Sequence, residues 1–230
     1  MPIEEIEKMF YNLDIPQEFG GNIDTEDYDW LYDWCDSTVK KHLAIPHSYE
    51  HGISKLVFIF PNCDWVVKIP FNGYYTAIWN DEEEKYDNET WNYFKNAMDS
   101  WDYCNVELEK YEQLQSLGLE CFLAETRYLC SDRDNYPIYI QEKVIPHVND
   151  KKKRTPTKKS LELIKGKYYF NATWVALAID FYGEEKTFQF LNYIDEIDTD
   201  MGEDLHSGNY GYRADGSPCL IDFSGWCEDC

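Results

Sequence analysis

Apolar residues recur at Ile3, Ile6, Met9 and Phe10, the three-and-four spacing of one helical face, and predict a helix over residues 3–12. A turn at IPQEFGGN follows. TEDYDWLYDWCDSTVKKHL then predicts a second helix, with Thr25 as its N-cap and acidic residues in its first turn. The period changes in KLVFIFPNCDWVVKIPF, where two β-rich runs, 56–60 and 65–69, flank Pro-Asn-Cys-Asp and predict a hairpin. Residues 80–104 are acidic and aromatic and are expected to be helical with one solvated face. VELEKYEQLQSLGLECF predicts a helix closed by Gly118 as its C′ residue. Two more strands are expected around AETRYLC and YPIYIQEKVI, and TWVALAIDFYGEEKTFQFLNYIDEI predicts one or two helices. The pattern as a whole is α+β: a helical preface, a sheet-rich half carrying one helix, and a helical half that ends in a polar loop and hairpin.

Composition adds size and charge to this outline. With 230 residues, 43% hydrophobic and 17% aromatic, the chain can build one large domain or two small lobes. Most of its aromatics, Trp79, Trp91, Tyr93 and Trp101 among them, are expected in packing, a fraction on a binding face. The formal net charge of −23 repels nucleic-acid phosphates and anionic membranes, so neither is an expected partner. A polyanion such as ATP would then need local cations, divalent metals or main-chain N–H groups. No apolar run reaches the roughly 18 residues of a membrane helix, and the acidic start MPIEEIEKMF does not read as a secretory signal. A cytoplasmic protein with reduced cysteines is expected. Residues 227–230 have CxxC spacing with no second pair and no nearby His, a weak metal or redox signal. The glycosylation triplets at Asn88 and Asn171 are expected to be chance. The basic run 151–159 stands out in an acidic chain and reads as a solvated connector, or else a docking patch for an acidic surface or phosphate.

The chemistry concentrates in EDLHSGNYGYRADGSPCLIDFSGW. Asp204 and Asn209 share one polar loop, and a short hairpin with its turn at Ala-Asp-Gly leads to Asp222, which adjacent strands would bring to the same end as Asn209. A carboxamide oxygen and a carboxylate that converge suit a hard cation such as Mg²⁺. Asp204, just before, could orient or deprotonate a hydroxyl.

DLHSGN followed by IDFSG resembles the catalytic and metal-binding loops of the protein kinase-like superfamily, in particular the small-molecule branch of aminoglycoside phosphotransferases. Other elements fall in the matching order. WVVKIPF offers Lys68 for the phosphate-binding strand lysine, and NVELEKYEQLQSLGL offers Glu107 for the glutamate that holds it, with Glu109 second on another face. YIQEKVIP resembles the strand entering the hinge, with Glu142 and Val144 near an adenine. Gly52 and Ser54 would flank the phosphates. The resemblance covers about residues 44–226. It implies a two-lobed protein kinase-like fold with a small antiparallel-sheet N-lobe and a reduced helical C-lobe. Its parts would be a helical extension at 1–43, an N-lobe at 44–148 with a helical insertion at 72–104, and a minimal C-lobe at 149–230. ATP and Mg²⁺ are the implied cofactors. Lys68 would bind the α- and β-phosphates, Glu107 would pair with Lys68, Asn209 and Asp222 would hold Mg²⁺, and Asp204 would act on the accepting hydroxyl.

The chain also departs from the family pattern. AIPHSYEHGISKL has one glycine where a protein kinase has three, and Gly202 stands where the catalytic-loop His is usual. His206 is expected to pack its loop. Few residues follow Gly225, so a peptide-binding platform like that of protein kinases is not expected. The expected activity is transfer of the γ-phosphoryl group of ATP to a hydroxyl of a small molecule or unusual protein substrate. The alternatives are a catalytically inactive, pseudokinase-type module that binds nucleotide or a protein, and an acidic protein that covers a basic surface.

Overall fold

A computed structural model describes residues 1–22, 29–52, 54–94, 102–152, 154–166 and 171–225. Thr25, Trp101 and the CxxC of 227–230 lie outside them. The chain is α+β and divides into two compact units. One comprises Met1–Cys104 with Arg127–Gln141, the other Asn105–Thr126 with Glu142–Cys230.

The first unit begins with α1 (Ile3–Phe10), β1 (Glu18–Asn22), α2 (Asp29–Asp33), a π-helical turn (Trp34–Val39) and α3 (Lys40–Leu43). Strands β2 (Ser48–His51), β3 (Lys55–Ile59) and β4 (Trp65–Pro70) follow and pair antiparallel, with Val57 opposite Lys68. The β3–β4 turn places Asn62 at φ 55°, a left-handed conformation that Asn tolerates. Strands β5 (Asn72–Asn80) and β6 (Lys85–Phe94) come next, then the start of α4 (Tyr103–Ser116), and later β7 (Thr126–Ser131) and β8 (Pro137–Glu142). The main sheet has the order β2-β3-β4-β8-β7, and a second sheet the order β1-β6-β5.

Two expectations are corrected here. Residues 1–43 are not an appended helical extension. Ile6, Phe10, Leu31, Trp34, Val39 and Leu43 share one buried core with Leu56, Phe58, Phe60 and Ile69 of the main sheet. Phe10 sits 5.5 Å from the Phe58 ring and 6.0 Å from Phe60. Burying each such side chain contributes about 1.5–3 kcal/mol. The segment IPQEFGGN also forms more than a turn, because β1 pairs with β6 from Glu18↔Phe94 to Asn22↔Thr90.

The second correction concerns 72–104, expected as a helical insertion; residues 72–94 form the β5–β6 hairpin, and 95–101 lie outside the described residues. Ten of the nineteen strand residues are aromatic or β-branched, with Thr76 opposite Thr90 and Trp79 opposite Tyr86, and such residues fit a pleated surface. The acidic residues expected on a helical face instead occupy the turn. Asn80 Oδ1 accepts the N–H groups of Glu82 and Glu83, and Glu84 takes φ 49°. Trp79 and Tyr86 remain half exposed and meet edge-to-face at 5.0 Å.

The second unit contains the rest of α4, then β9 (Ile145–Pro146), α5 (Lys158–Leu163), α6 (Ala172–Tyr182), α7 (Glu184–Ile197), α8 (Thr199–Glu203), β10 (Tyr210–Tyr212) and β11 (Pro218–Leu220). Gly118 takes φ 71° just beyond α4, as expected of a C′ glycine. Gly183, at φ 89°, breaks the long apolar run into α6 and α7. Trp174, Phe122, Phe190, Tyr210 and Phe223 belong to its core, where Phe122 stacks on Phe190 at 4.5 Å. In the basic run, Arg154 is committed. It donates to Asp150 and to the Gly216 carbonyl and lies 4.5 Å over the Tyr212 ring, whereas Lys151, Lys152, Lys158 and Lys159 are exposed. Among the described residues six cysteines are free thiols, all buried except the half-buried Cys121.

Candidate functional site

The hairpin β10–β11 builds the site from its open end. Tyr210 pairs with Leu220, Gly211 with Cys219 and Tyr212 with Pro218. The turn is closed by the Arg213 N–H on the Ser217 carbonyl, with Gly216 at φ 100°. One step beyond the ladder, the carbonyl of Asn209 accepts the N–H of Ile221 at 2.9 Å and that of Asp222 at 3.4 Å. Asn209 therefore clasps the residue that precedes Asp222 and Asp222 itself. Its Nδ2 donates to the Asp204 carbonyl at 2.8 Å. The expected trio thus comes together through hydrogen bonds on one residue, which is 7% exposed.

This clasp assigns the carboxamide. With Nδ2 turned to Asp204, Oδ1 is the atom that can serve as a ligand. Asp222 is half-buried and its Oδ1 receives the Ser224 hydroxyl at 3.4 Å. An amide oxygen and a carboxylate are hard oxygen donors, the kind that suits Mg²⁺. That ion commonly takes one or two carboxylates and completes its shell with phosphates and water. No group of three or more His, Cys, Asp and Glu suited to a metal occurs among the described residues.

His206 is exposed, its Nδ1 accepts the Gly208 N–H at 3.0 Å, and its Nε2 lies 3.8 Å from Asp204 Oδ1. A Cβ on Gly208 would come within 2.9 Å of the His206 ring, so the sequence His-Ser-Gly suits this closure. Burial pushes the Tyr182 and Tyr210 hydroxyls above the ordinary phenol range. These phenols stay protonated near neutrality.

The remaining predicted residues fall as follows. Lys68 is buried on β4 in the first unit, at 4% exposure. Glu107 is fully buried on α4 within the second unit, one turn from buried Cys104 and seven residues from buried Leu114. Glu109 is exposed and accepts from Asn105, which settles the choice between the two glutamates as to burial. The β2–β3 connection is tight. The Gly52 N–H donates to the Lys55 carbonyl and the Ser54 carbonyl accepts from Phe71. Gly52 is exposed with open space around it, yet the donor expected to approach phosphate is already used within the turn.

Glu142 and Val144 have local structural roles. The Glu142 carboxylate takes Arg213 Nε at 2.8 and 3.0 Å, while Arg213 Nη1 donates to the Cys121 carbonyl and the Tyr182 hydroxyl, and Nη2 to the Leu123 carbonyl. Val144 packs on Gly211, where an added Cβ would sit 2.6 Å from the Ile145 carbonyl oxygen. Sequence reasoning did not single out Arg213, nor Lys110, which reaches Asp198 and Ser224. Both have partners far away in the sequence; the one local signal was the position of Lys110 a turn after Glu107.

No protein-family model matches the chain, and no curated protein matches it as a relative. No helix among the described residues is long and apolar enough to cross a membrane.

Proposed function

We propose that the chain is a two-lobed, kinase-like phosphotransferase that uses ATP and Mg²⁺ to phosphorylate a hydroxyl of a small molecule or an unusual protein substrate. The observation that carries this reading is the clasp on Asn209, which joins the loop of Asp204 to that of Asp222. In this reading Asn209 Oδ1 and the Asp222 carboxylate hold the metal. Bound Mg²⁺ would neutralise charge on the phosphates. Asp204 orients the accepting hydroxyl and takes its proton. Each unit brings one further group that the resemblance implies, the buried ammonium of Lys68 on β4 of the first and the buried carboxylate of Glu107 on α4 of the second. Val144 offers apolar contact to the adenine. Glu142 contributes its main chain there, since Arg213 occupies its carboxylate.

The use of the Gly52 N–H within its own turn favours a second reading, a nucleotide- or protein-binding module without turnover. Calorimetric titration of ATP with and without Mg²⁺, on the native chain and on Asp222→Ala, tests both. Mg²⁺-dependent binding that the variant loses supports the site, and phosphoryl transfer to a hydroxyl acceptor then separates enzyme from binder. Absence of ATP binding at millimolar concentration overturns the phosphotransferase reading.

A further inference from the structure

Lys110 projects from α4 and its Nζ donates to Asp198 Oδ1 and to the Ser224 carbonyl, each at 2.8 Å. The ion pair is largely closed to water, with side-chain exposures of 13% for Lys110 and 10% for Asp198. Its two acceptors belong to the two segments that deliver the site. Asp198 caps the end of α7, and its Oδ1 also accepts the Met201 N–H at 3.2 Å, in the first turn of α8. Helix α8 ends at Glu203, so the next residue is Asp204. Ser224 stands two residues beyond Asp222 and its hydroxyl reaches the Asp222 carboxylate. One ammonium therefore ties the approach to Asp204 to the exit from Asp222. The Asn209 clasp joins the same loops from the opposite ends, so both loops are held on both sides.

A buried ion pair is weak evidence for stability, because desolvation offsets much of the Coulomb gain. An apolar side chain at this place on α4 would pack as well. What an apolar side chain cannot do is fix two polar loops at a set separation. We propose that Lys110 is a positioning residue: it sets the spacing of Asp204 and Asp222 and thereby the Mg²⁺ requirement for nucleotide binding. The inference rests on the phosphotransferase reading above, and it adds a determinant outside the loops themselves.

The test uses the full chain, with ATP as the probe across a Mg²⁺ series, and compares the native protein with Lys110→Met, Lys110→Arg and Asp198→Asn. Loss of a group that orients metal ligands typically costs 10–100-fold in metal affinity, so Lys110→Met is expected to raise the Mg²⁺ concentration for half-maximal ATP binding at least about tenfold. Lys110→Arg should recover part of that loss. In the metal-free chain, amide exchange at residues 205–209 and 221–224 should quicken in Lys110→Met while the β3–β4 amides do not change. Asp198→Asn keeps an acceptor for Met201 and removes the charge, so it decides the matter if Lys110→Met fails to fold, with a Mg²⁺ shift in the same direction expected. A native protein that binds ATP with Mg²⁺, together with variants whose Mg²⁺ midpoints match it within about twofold, overturns the positioning role alone. A native protein that binds no ATP overturns both this inference and the reading beneath it.

Discussion

Arg213 distributes its guanidinium over the Glu142 carboxylate, the Cys121 and Leu123 carbonyls and the Tyr182 hydroxyl. Truncation to Ala would leave the Leu123 carbonyl and a half-buried carboxylate without this donor. The expected cost is about 2–4 kcal/mol, less than for a fully buried pair because both side chains retain some exposure. Urea denaturation checks it. Arg213→Lys should recover less than half, since a compact ammonium cannot span a fork of acceptors. Asp215 gives a pH dependence. The Ser217 N–H and hydroxyl hold its carboxyl below the ordinary range. Its contribution is therefore fully present above the unfolded value of about 3.9 and is lost as pH falls through the lowered folded value. Asp215→Asn should flatten the acid limb of the stability profile by lowering neutral stability while leaving stability at low pH little changed; equal acid slopes in the two proteins would contradict this.

At the scale of elements, the β5–β6 tip extends past Thr90, where the pairing with β1 ends among the described residues. A two-stranded ribbon is marginal by itself, so the tip depends on the Asn80 turn and the Trp79–Tyr86 pair. Trp79→Ala is expected to cost under about 1 kcal/mol globally, because the ring is half exposed, while amide exchange at 78–87 accelerates and that of β3 and β4 does not. The same hairpin shows where sequence reading reached its end. Period three-and-four revealed α1, and Pro-Asn between β-rich runs revealed β3 and β4, because each pattern is read within a few residues. In NDEEEKYDNET the acidic run outweighed the flanking aromatics and gave a helix, although those charges serve a turn whose Asn80 caps two N–H groups. The site followed the same rule. The convergence of Asp204, Asn209 and Asp222 was legible because one loop and the hairpin after it bring them together, and the burial of Glu107 against exposed Glu109 was legible from helical face. Arg213 and Lys110 were not, since tertiary packing alone brings their acceptors to them.

For the whole molecule, a net charge of −23 sets carboxylates against one another across the surface. Added sodium chloride screens exposed charges beyond about 10 Å at 0.1 M, so thermal stability should rise from low to moderate salt. A melting temperature that falls over that range would show that attractive pairs outweigh the repulsion. The buried thiols carry a different consequence. Burial pushes Cys35, Cys130 and Cys219 up to about 12, and thiolate is the form that alkylating reagents capture. In the closed protein these sulfurs are doubly silent, unreachable and protonated. Each therefore works as a clock that starts only when its surroundings open, with Cys35 and Cys130 timing the first unit and Cys219 the second. Mass-resolved alkylation of the native chain would thus read two opening rates in one tube, with no label introduced and no residue changed.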